Sequence, residues 1–177
     1  MTGTFRGTYT VMVTPFDADG AVDLKALAAL TEWQIAEGIH GLIPLGSTGE
    51  FLSLTEAERE AVAACVIETA AGRVPVLVGA GAEWTDDAVR ASLMAQRRGA
   101  DGVMIIPPFY SSPTEDELFA HYSRIAARLS IPIMLYNNPA TANVDLTPPI
   151  IARLSTIDGV DYVKESTLEV TRIRDIL

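Results

Sequence analysis

Thr8-Tyr9-Thr10-Val11-Met12-Val13 runs directly into Thr14-Pro15-Phe16, and the turn that closes this first β-rich run decides between two architectures. The run is β-branched and aromatic, the composition that suits a pleated strand. Five more such runs follow at roughly thirty-residue spacing: Gly41 to Leu45, Val74 to Val78, Gly102 to Ile106, Pro132 to Tyr136 and Val160 to Lys164. Helical patterns fill the gaps. Leu24, Leu27, Leu30 and Ile35 make one apolar helical face, ended by Gly38. Thr55 with Glu58, and Thr114 with Glu117, have the spacing of a capping box, and Thr147 before Pro148 puts a cap residue ahead of a first-turn proline. Another helix is predicted to start near Thr85. Strands apolar on both faces that alternate with helices indicate a parallel sheet covered by helices. A doubly wound open sheet would carry a glycine-rich turn after its first strand, and Thr14-Pro15-Phe16 has no glycine. A (β/α)8 TIM barrel instead collects polar side chains at the C-terminal ends of many strands. The expectation is therefore an α/β chain, a single partial TIM-barrel domain over residues 1–177, carrying about the first six strands.

Length supports the word partial. Such barrels typically take ~250 residues, whereas this chain has 177 and ends with Arg172-Ile173-Arg174-Asp175-Ile176-Leu177, just inside a sixth helix. A six-stranded open barrel would leave the edges of its first and sixth strands unpaired, so the sequence reads as a fragment of a longer polypeptide. With 49% hydrophobic and 20% charged residues the composition is that of an ordinary soluble globular protein. The net charge of −10 argues against nucleic acid and anionic membrane surfaces as partners, because both need clustered Lys and Arg. Cys65 is the only cysteine, lies in a helical pattern and reads as a core thiol, which fits a cytoplasmic protein.

Chemistry is suggested by the strand ends. Lys164 has only one other lysine for company in the chain, Lys25, and sits on the apolar run Val160-Asp161-Tyr162-Val163-Lys164. An ammonium in such a setting needs a partner or gives way to the neutral amine, and a neutral amine attacks ketones and aldehydes to form a Schiff base. Tyr136 ends the neighbouring strand, so its phenol could relay protons if both side chains face the same way. The second strand runs into Gly46-Ser47-Thr48-Gly49-Glu50, a turn whose N–H groups and hydroxyls suit a small carboxylate or a phosphate. It lacks the lysine and spacing of a nucleotide loop, which favours the carboxylate. Gly79-Ala80-Gly81 reads as a tight turn. His40 and His121 read as packing or surface residues, and Glu50 and Glu165 as loop braces. No spacing points to zinc or magnesium, so no metal is expected.

Taken in order, Val13-Thr14-Pro15-Phe16, Gly46-Ser47-Thr48-Gly49-Glu50, Pro108-Phe109-Tyr110, Leu135-Tyr136-Asn137-Asn138-Pro139 and Val163-Lys164-Glu165-Ser166 make the chain similar to the dihydrodipicolinate synthase and N-acetylneuraminate lyase family. The resemblance runs from the first strand to the sixth. It implies a (β/α)8 barrel with a helical extension, assembled as a homo-oligomer, a dimer of dimers when full length, which forms a Schiff base with pyruvate or a longer 2-keto acid and uses no cofactor. Lys164 would form the Schiff base and Tyr136 would shuttle protons. Ser47 would stand at the relay hydroxyl, Thr48 would hold the keto-acid carboxylate with the N–H groups between Gly46 and Gly49, and Tyr110 would complete the relay in a neighbouring subunit.

The sequence departs from the family's synthases after Tyr136. They place an arginine two residues beyond the proline of that motif to grip the second substrate's carboxylate. Here the stretch is Pro139-Ala140-Thr141-Ala142-Asn143, and a threonine cannot make the bidentate charge-assisted pair. Thr141 and Asn143 instead suit a hydroxylated substrate. The expected function is thus a Schiff-base lyase or synthase acting on pyruvate or a 2-keto-3-deoxy acid, by aldol cleavage, condensation or dehydration. Two alternatives stand beside it: the synthase of lysine biosynthesis, and a catalytically silent fragment or interaction module.

Overall fold

Each predicted β-rich run forms a strand in the computed structural model, which describes residues 5–177; the first four strands are shorter than their apolar runs, whereas the fifth and sixth reach one residue past theirs, to Asn137 and Glu165. The chain folds as two compact units. One reaches Gly79 and takes in Met94–Gly102, and the other comprises Ala80–Leu93 and Val103–Leu177.

In the first unit, β1 (Tyr9–Val11) pairs in parallel with β2 (Gly41–Ile43), Thr10 lying opposite Leu42. β3 (Leu77–Gly79) follows, joined to β2 through the parallel bridge between Leu42 and Val76 and the hydrogen bond from Gly79 N–H to the Pro44 carbonyl (2.9 Å). α1 (Leu24–Ala36) is capped by the Asp23 carboxylate, which accepts from Ala26 N–H at 2.8 Å, and it ends at Gly38, where φ is +85°. α2 (Glu56–Ala70) opens with the predicted Thr55 and Glu58 capping box. Leu27, Leu42, Val62, Val66 and Leu77 are fully buried between these helices and strands. Cys65 departs from expectation. It is half-buried on α2 and its thiol donates to the Leu24 carbonyl at 3.4 Å, so it lines the α1 and α2 contact and is not a core residue.

α3 (Thr85–Arg98) starts where predicted, with Asp86 and Asp87 in its first turn and Arg97 and Arg98 in its last, each matched to the helix dipole. In the second unit β4 (Gly102–Ile105, from Val103 on), β5 (Ile133–Asn137) and β6 (Val160–Glu165) form a parallel ladder. α4 (Glu115–Ala126) carries the second capping box, of Thr114 with Glu117, and α5 (Pro148–Leu154) begins with proline after Thr147. The five-residue helix α6 (Arg172–Ile176) ends the chain. Ile105, Leu118, Ile125, Ile133 and Leu135 form the core here, with Tyr122, whose hydroxyl donates to the Ile105 carbonyl at 3.2 Å.

One irregularity positions the site. Ile133 lies opposite Val160, yet Met134 lies opposite Tyr162, so the register shifts by one residue and Asp161 is the extra one. An extra residue of this kind exchanges the faces of everything beyond it. Without it Val163 would face Tyr136. With it, Lys164 does.

Among the described residues no helix is long and apolar enough to cross a membrane.

Candidate active site

Register partners on adjacent parallel strands project to the same face of the sheet, and Tyr136 on β5 is the partner of Lys164 on β6. The lysine Nζ sits 3.4 Å from the centre of the Tyr136 ring. A cation placed so is held by the ring quadrupole with about 0.5 to 2 kcal/mol, enough to limit the rotamers of a long flexible side chain. Tyr136 is 6% exposed, whereas Lys164 is only partly buried. Asn138 Nδ2 donates to the phenol oxygen at 2.9 Å. The phenol is an acceptor on that side and keeps its own proton for a different partner.

Behind this pair lies a polar network. Asn137 is completely buried, and its Nδ2 donates to Asp145 Oδ1 (3.0 Å) and to Glu165 Oε2 (2.9 Å), while its Oδ1 accepts from Leu146 N–H (2.9 Å). Glu165 also accepts from Thr167 N–H at 2.7 Å, which fulfils its predicted part as a brace. Arg172 completes the network with a two-pronged contact to Asp145, at 3.1 and 2.9 Å. Burial by itself would raise the Asp145 carboxyl, but hydrogen bonds from Arg172 and Asn137 outweigh it and hold the group below its usual range. The side chains of Asn137, Asp145, Glu165 and Arg172 all find partners, while the buried Thr167 hydroxyl has none among the described residues, and the network ties together the end of β5, the chain after it and the end of β6.

Sequence reading missed Glu83. Its Oε2 accepts from Phe109 N–H and Tyr110 N–H and its Oε1 from Ser111 N–H, each at 2.9 Å. Burial pushes this carboxyl up, but the bonds from Ser111, Tyr110 and Phe109 prevail and hold it below its ordinary value. No pattern in the sequence marks it, because most of its donors in the loop are backbone groups, joined by the Ser111 side chain. From the other side Asn143 Nδ2 donates to the Tyr110 carbonyl (3.0 Å) and the Phe109 carbonyl (3.2 Å). Tyr110 and Asn143 are thus brought together through the backbone of the loop, while the Tyr110 side chain stands 86% exposed. Thr141 is exposed, and its hydroxyl donates to the Asn138 carbonyl at 3.3 Å.

In the first unit Ser47–Gly49 forms one turn of 3-10 helix, with Gly46 ahead of it and Glu50 in the left-handed region behind it. Ser47 and Thr48 are exposed, and Gly46 and Gly49 are buried. Two contacts seat the turn. Buried Thr14 donates its hydroxyl to the Gly49 carbonyl at 2.7 Å, and a Cβ at Gly49 would stand 2.9 Å from the Met12 carbonyl. Just before the turn, buried Leu45 has φ of +61°, a conformation that costs a non-glycine residue about 1 to 3 kcal/mol. Gly79 is its counterpart: a Cβ there would collide with the Leu45 carbonyl. His40 is exposed and accepts from Thr8 N–H at 3.0 Å, and buried His121 contacts the Thr85 hydroxyl at 2.9 Å, so one is a surface and the other a packing histidine, as expected.

Comparison with solved structures gives the class. A putative dihydrodipicolinate synthetase from Pseudomonas aeruginosa matches with a TM-score of 0.95 at 37% identity, covering 98% of this chain and 60% of that one. The dihydrodipicolinate synthase of Acinetobacter baumannii in complex with pyruvate matches with a TM-score of 0.95 at 35% identity, over the same shares of the two chains. The fold is that of the (β/α)8 barrel, of which this chain carries six βα units. The model of the dihydrodipicolinate synthetase family matches residues 4–177, and the chain belongs to that family. Among curated relatives, the 4-hydroxy-tetrahydrodipicolinate synthases of Nitrobacter hamburgensis and Agrobacterium fabrum are 41% and 42% identical, over 96% and 97% of this chain. The chain spans 57% and 58% of the length of those two relatives.

Proposed function

We propose that this chain carries the Schiff-base half of an active site that acts on pyruvate or a 2-keto-3-deoxy acid. The observation that carries the reading is the placement of Lys164 Nζ 3.4 Å over Tyr136, on a register set by an extra residue in β6. Its support is membership of a family in which a similar protein has been seen in complex with pyruvate. In this reading neutral Lys164 adds to the keto carbon, the carbonyl oxygen takes up a proton, and the carbinolamine loses water to leave an iminium. The Tyr136 hydroxyl moves the protons, with Ser47 and a neighbouring subunit's Tyr110 as relay partners. Thr48 and the N–H groups of the Gly46 to Gly49 turn hold the carboxylate. The iminium then accepts the electrons of a breaking carbon–carbon bond, or supplies an enamine that forms one. Chemistry of this kind, with a single unpaired cysteine, suits the cytoplasm, and the full-length protein works as a dimer of dimers.

The decisive experiment incubates the full-length protein with pyruvate and borohydride and maps the adduct by mass spectrometry. A reduced three-carbon adduct on Lys164 is expected, and Tyr136→Phe should trap it about 10²- to 10⁴-fold more slowly, the usual size of a general acid–base contribution. Adduct on Lys25, or none at all, overturns the reading.

A second reading, 4-hydroxy-tetrahydrodipicolinate synthase, is favoured by the names of the curated relatives. Thr141 opposes it. Arg172, a guanidinium from the same unit, is already committed to Asp145 and is 11% exposed, so it is poorly placed to replace the missing arginine.

A further inference from the structure

The peptide of Tyr110 is gripped on both of its polar edges by side chains from separate parts of the chain. Glu83 precedes α3 and takes the N–H groups of three successive residues, Phe109, Tyr110 and Ser111. Asn143 lies beyond β5 and donates to the carbonyls of Phe109 and Tyr110. Three N–H groups converging on one carboxylate define an anion-binding concavity, and here the anion is supplied by the chain itself. Beyond the buried Pro107 and Pro108 the chain comes out to the surface. Ser111 is exposed and Tyr110 is 86% exposed, so apolar burial contributes little. A phenol bathed in solvent can still be aimed when its Cα and backbone are fixed.

We propose that Glu83 is the positioning residue for Tyr110: its carboxylate, with Asn143 opposite, freezes the 109–111 backbone so that the exposed phenol is presented in one direction. The catalytic importance of that phenol rests on the function proposed above, but the clamp itself does not. Both oxygens are needed. Oε2 serves Phe109 and Tyr110 and Oε1 serves Ser111. In Glu83→Gln one of these acceptors becomes an NH2 that points donor to donor at a backbone N–H, and the remaining bonds lose their charge.

The test has two readouts in the full-length protein. Amide exchange of Phe109, Tyr110 and Ser111, measured without ligand, should quicken on the order of tenfold to a hundredfold in Glu83→Gln, the equivalent of losing hydrogen bonds to a charged group. Turnover should fall by a comparable factor, and in a Tyr110→Phe background the same change should cost nothing more, because a residue that acts through the phenol has nothing left to act on. Additive losses would make Glu83 a general structural residue, and unchanged exchange would remove the clamp altogether. If Glu83→Gln does not fold, Asn143→Asp turns an acceptor toward the two carbonyls and repeats the exchange measurement from the opposite edge. Failure of wild-type protein to trap pyruvate on Lys164 would sink the functional reading while leaving the exchange result to judge the clamp.

Discussion

His121 is 5% exposed, contacts Thr85 through Nδ1 at 2.9 Å and has no hydrogen-bond partner at Nε2 among the described residues. Burial drives its pKa from 6.5 down to about 4, against a smaller opposing pull from Glu83. The folded state therefore binds this proton less readily than the unfolded chain does. Stability from this group is fully present above about pH 6.5 and is lost as pH falls toward about 4. The loss between pH 7 and pH 5 is about 2 kcal/mol. Urea midpoints at the two pH values should show it, and His121→Gln should remove most of the difference. A wild-type midpoint that does not move over this range would mean that the ring can protonate where it lies. The packing role of His121 was legible from its place in a helical pattern beside Phe119 and Tyr122. Its isolation was not, because that depends on which groups the fold leaves out of reach.

At the level of elements, the bulge in β6 does what no single side chain does. Asp161 is exposed, and its value lies in its presence and not in its carboxylate. Asp161→Ala should leave pyruvate trapping at Lys164 within about twofold of wild type, since surface substitutions away from special features stay within about ±0.5 kcal/mol. Deleting Asp161 should abolish trapping, because it would bring Val163 opposite Tyr136 and turn Lys164 to the other face. Trapping that survives the deletion would show that β6 slips to restore its register. The sequence disclosed that Lys164 and Tyr136 end neighbouring strands, but the run Val160 to Lys164 gives no sign of where an extra residue is absorbed. The lengths of β1 and β2 were overread for a related reason. Apolar character continues through Val13 and Leu45, which leave the ladder to shape the turns after β1 and β2. A leucine at φ +61° runs against the steric preference from which any sequence reading must start. The capping boxes, by contrast, were fully legible, since both partners of each lie within one turn of helix.

For the protein as a whole, the proposed function is tested most sharply at its distal substrate contact. Thr141, whose hydroxyl already donates to Asn138, offers a distal carboxylate no charge. Losing an arginine at such a site costs roughly 1.5 to 3 kcal/mol, the worth of a hydrogen bond to a charged group. Specificity constants for the full-length protein should accordingly favour a hydroxylated 2-keto acid over condensation of pyruvate with aspartate semialdehyde by about tenfold to a hundredfold. A preference for aspartate semialdehyde would establish the synthase reading and require a cation from elsewhere in the protein. The family was legible because its motifs fall at strand ends in a fixed order, whereas the supporting roles of Glu83, Thr14 and Gly79 were not, although Thr14 and Gly79 stood in turns the sequence marked, because they act largely on backbone atoms. Gly79 in particular separates two things that selection could otherwise confuse. It leaves room for the left-handed Leu45 and so fixes the path of the turn, while Ser47 and Thr48 stand exposed. A chain that keeps residues 45, 46, 49 and 79 can lose either hydroxyl at 47 or 48 without refashioning the frame, so here the machinery and its mount can be altered one at a time.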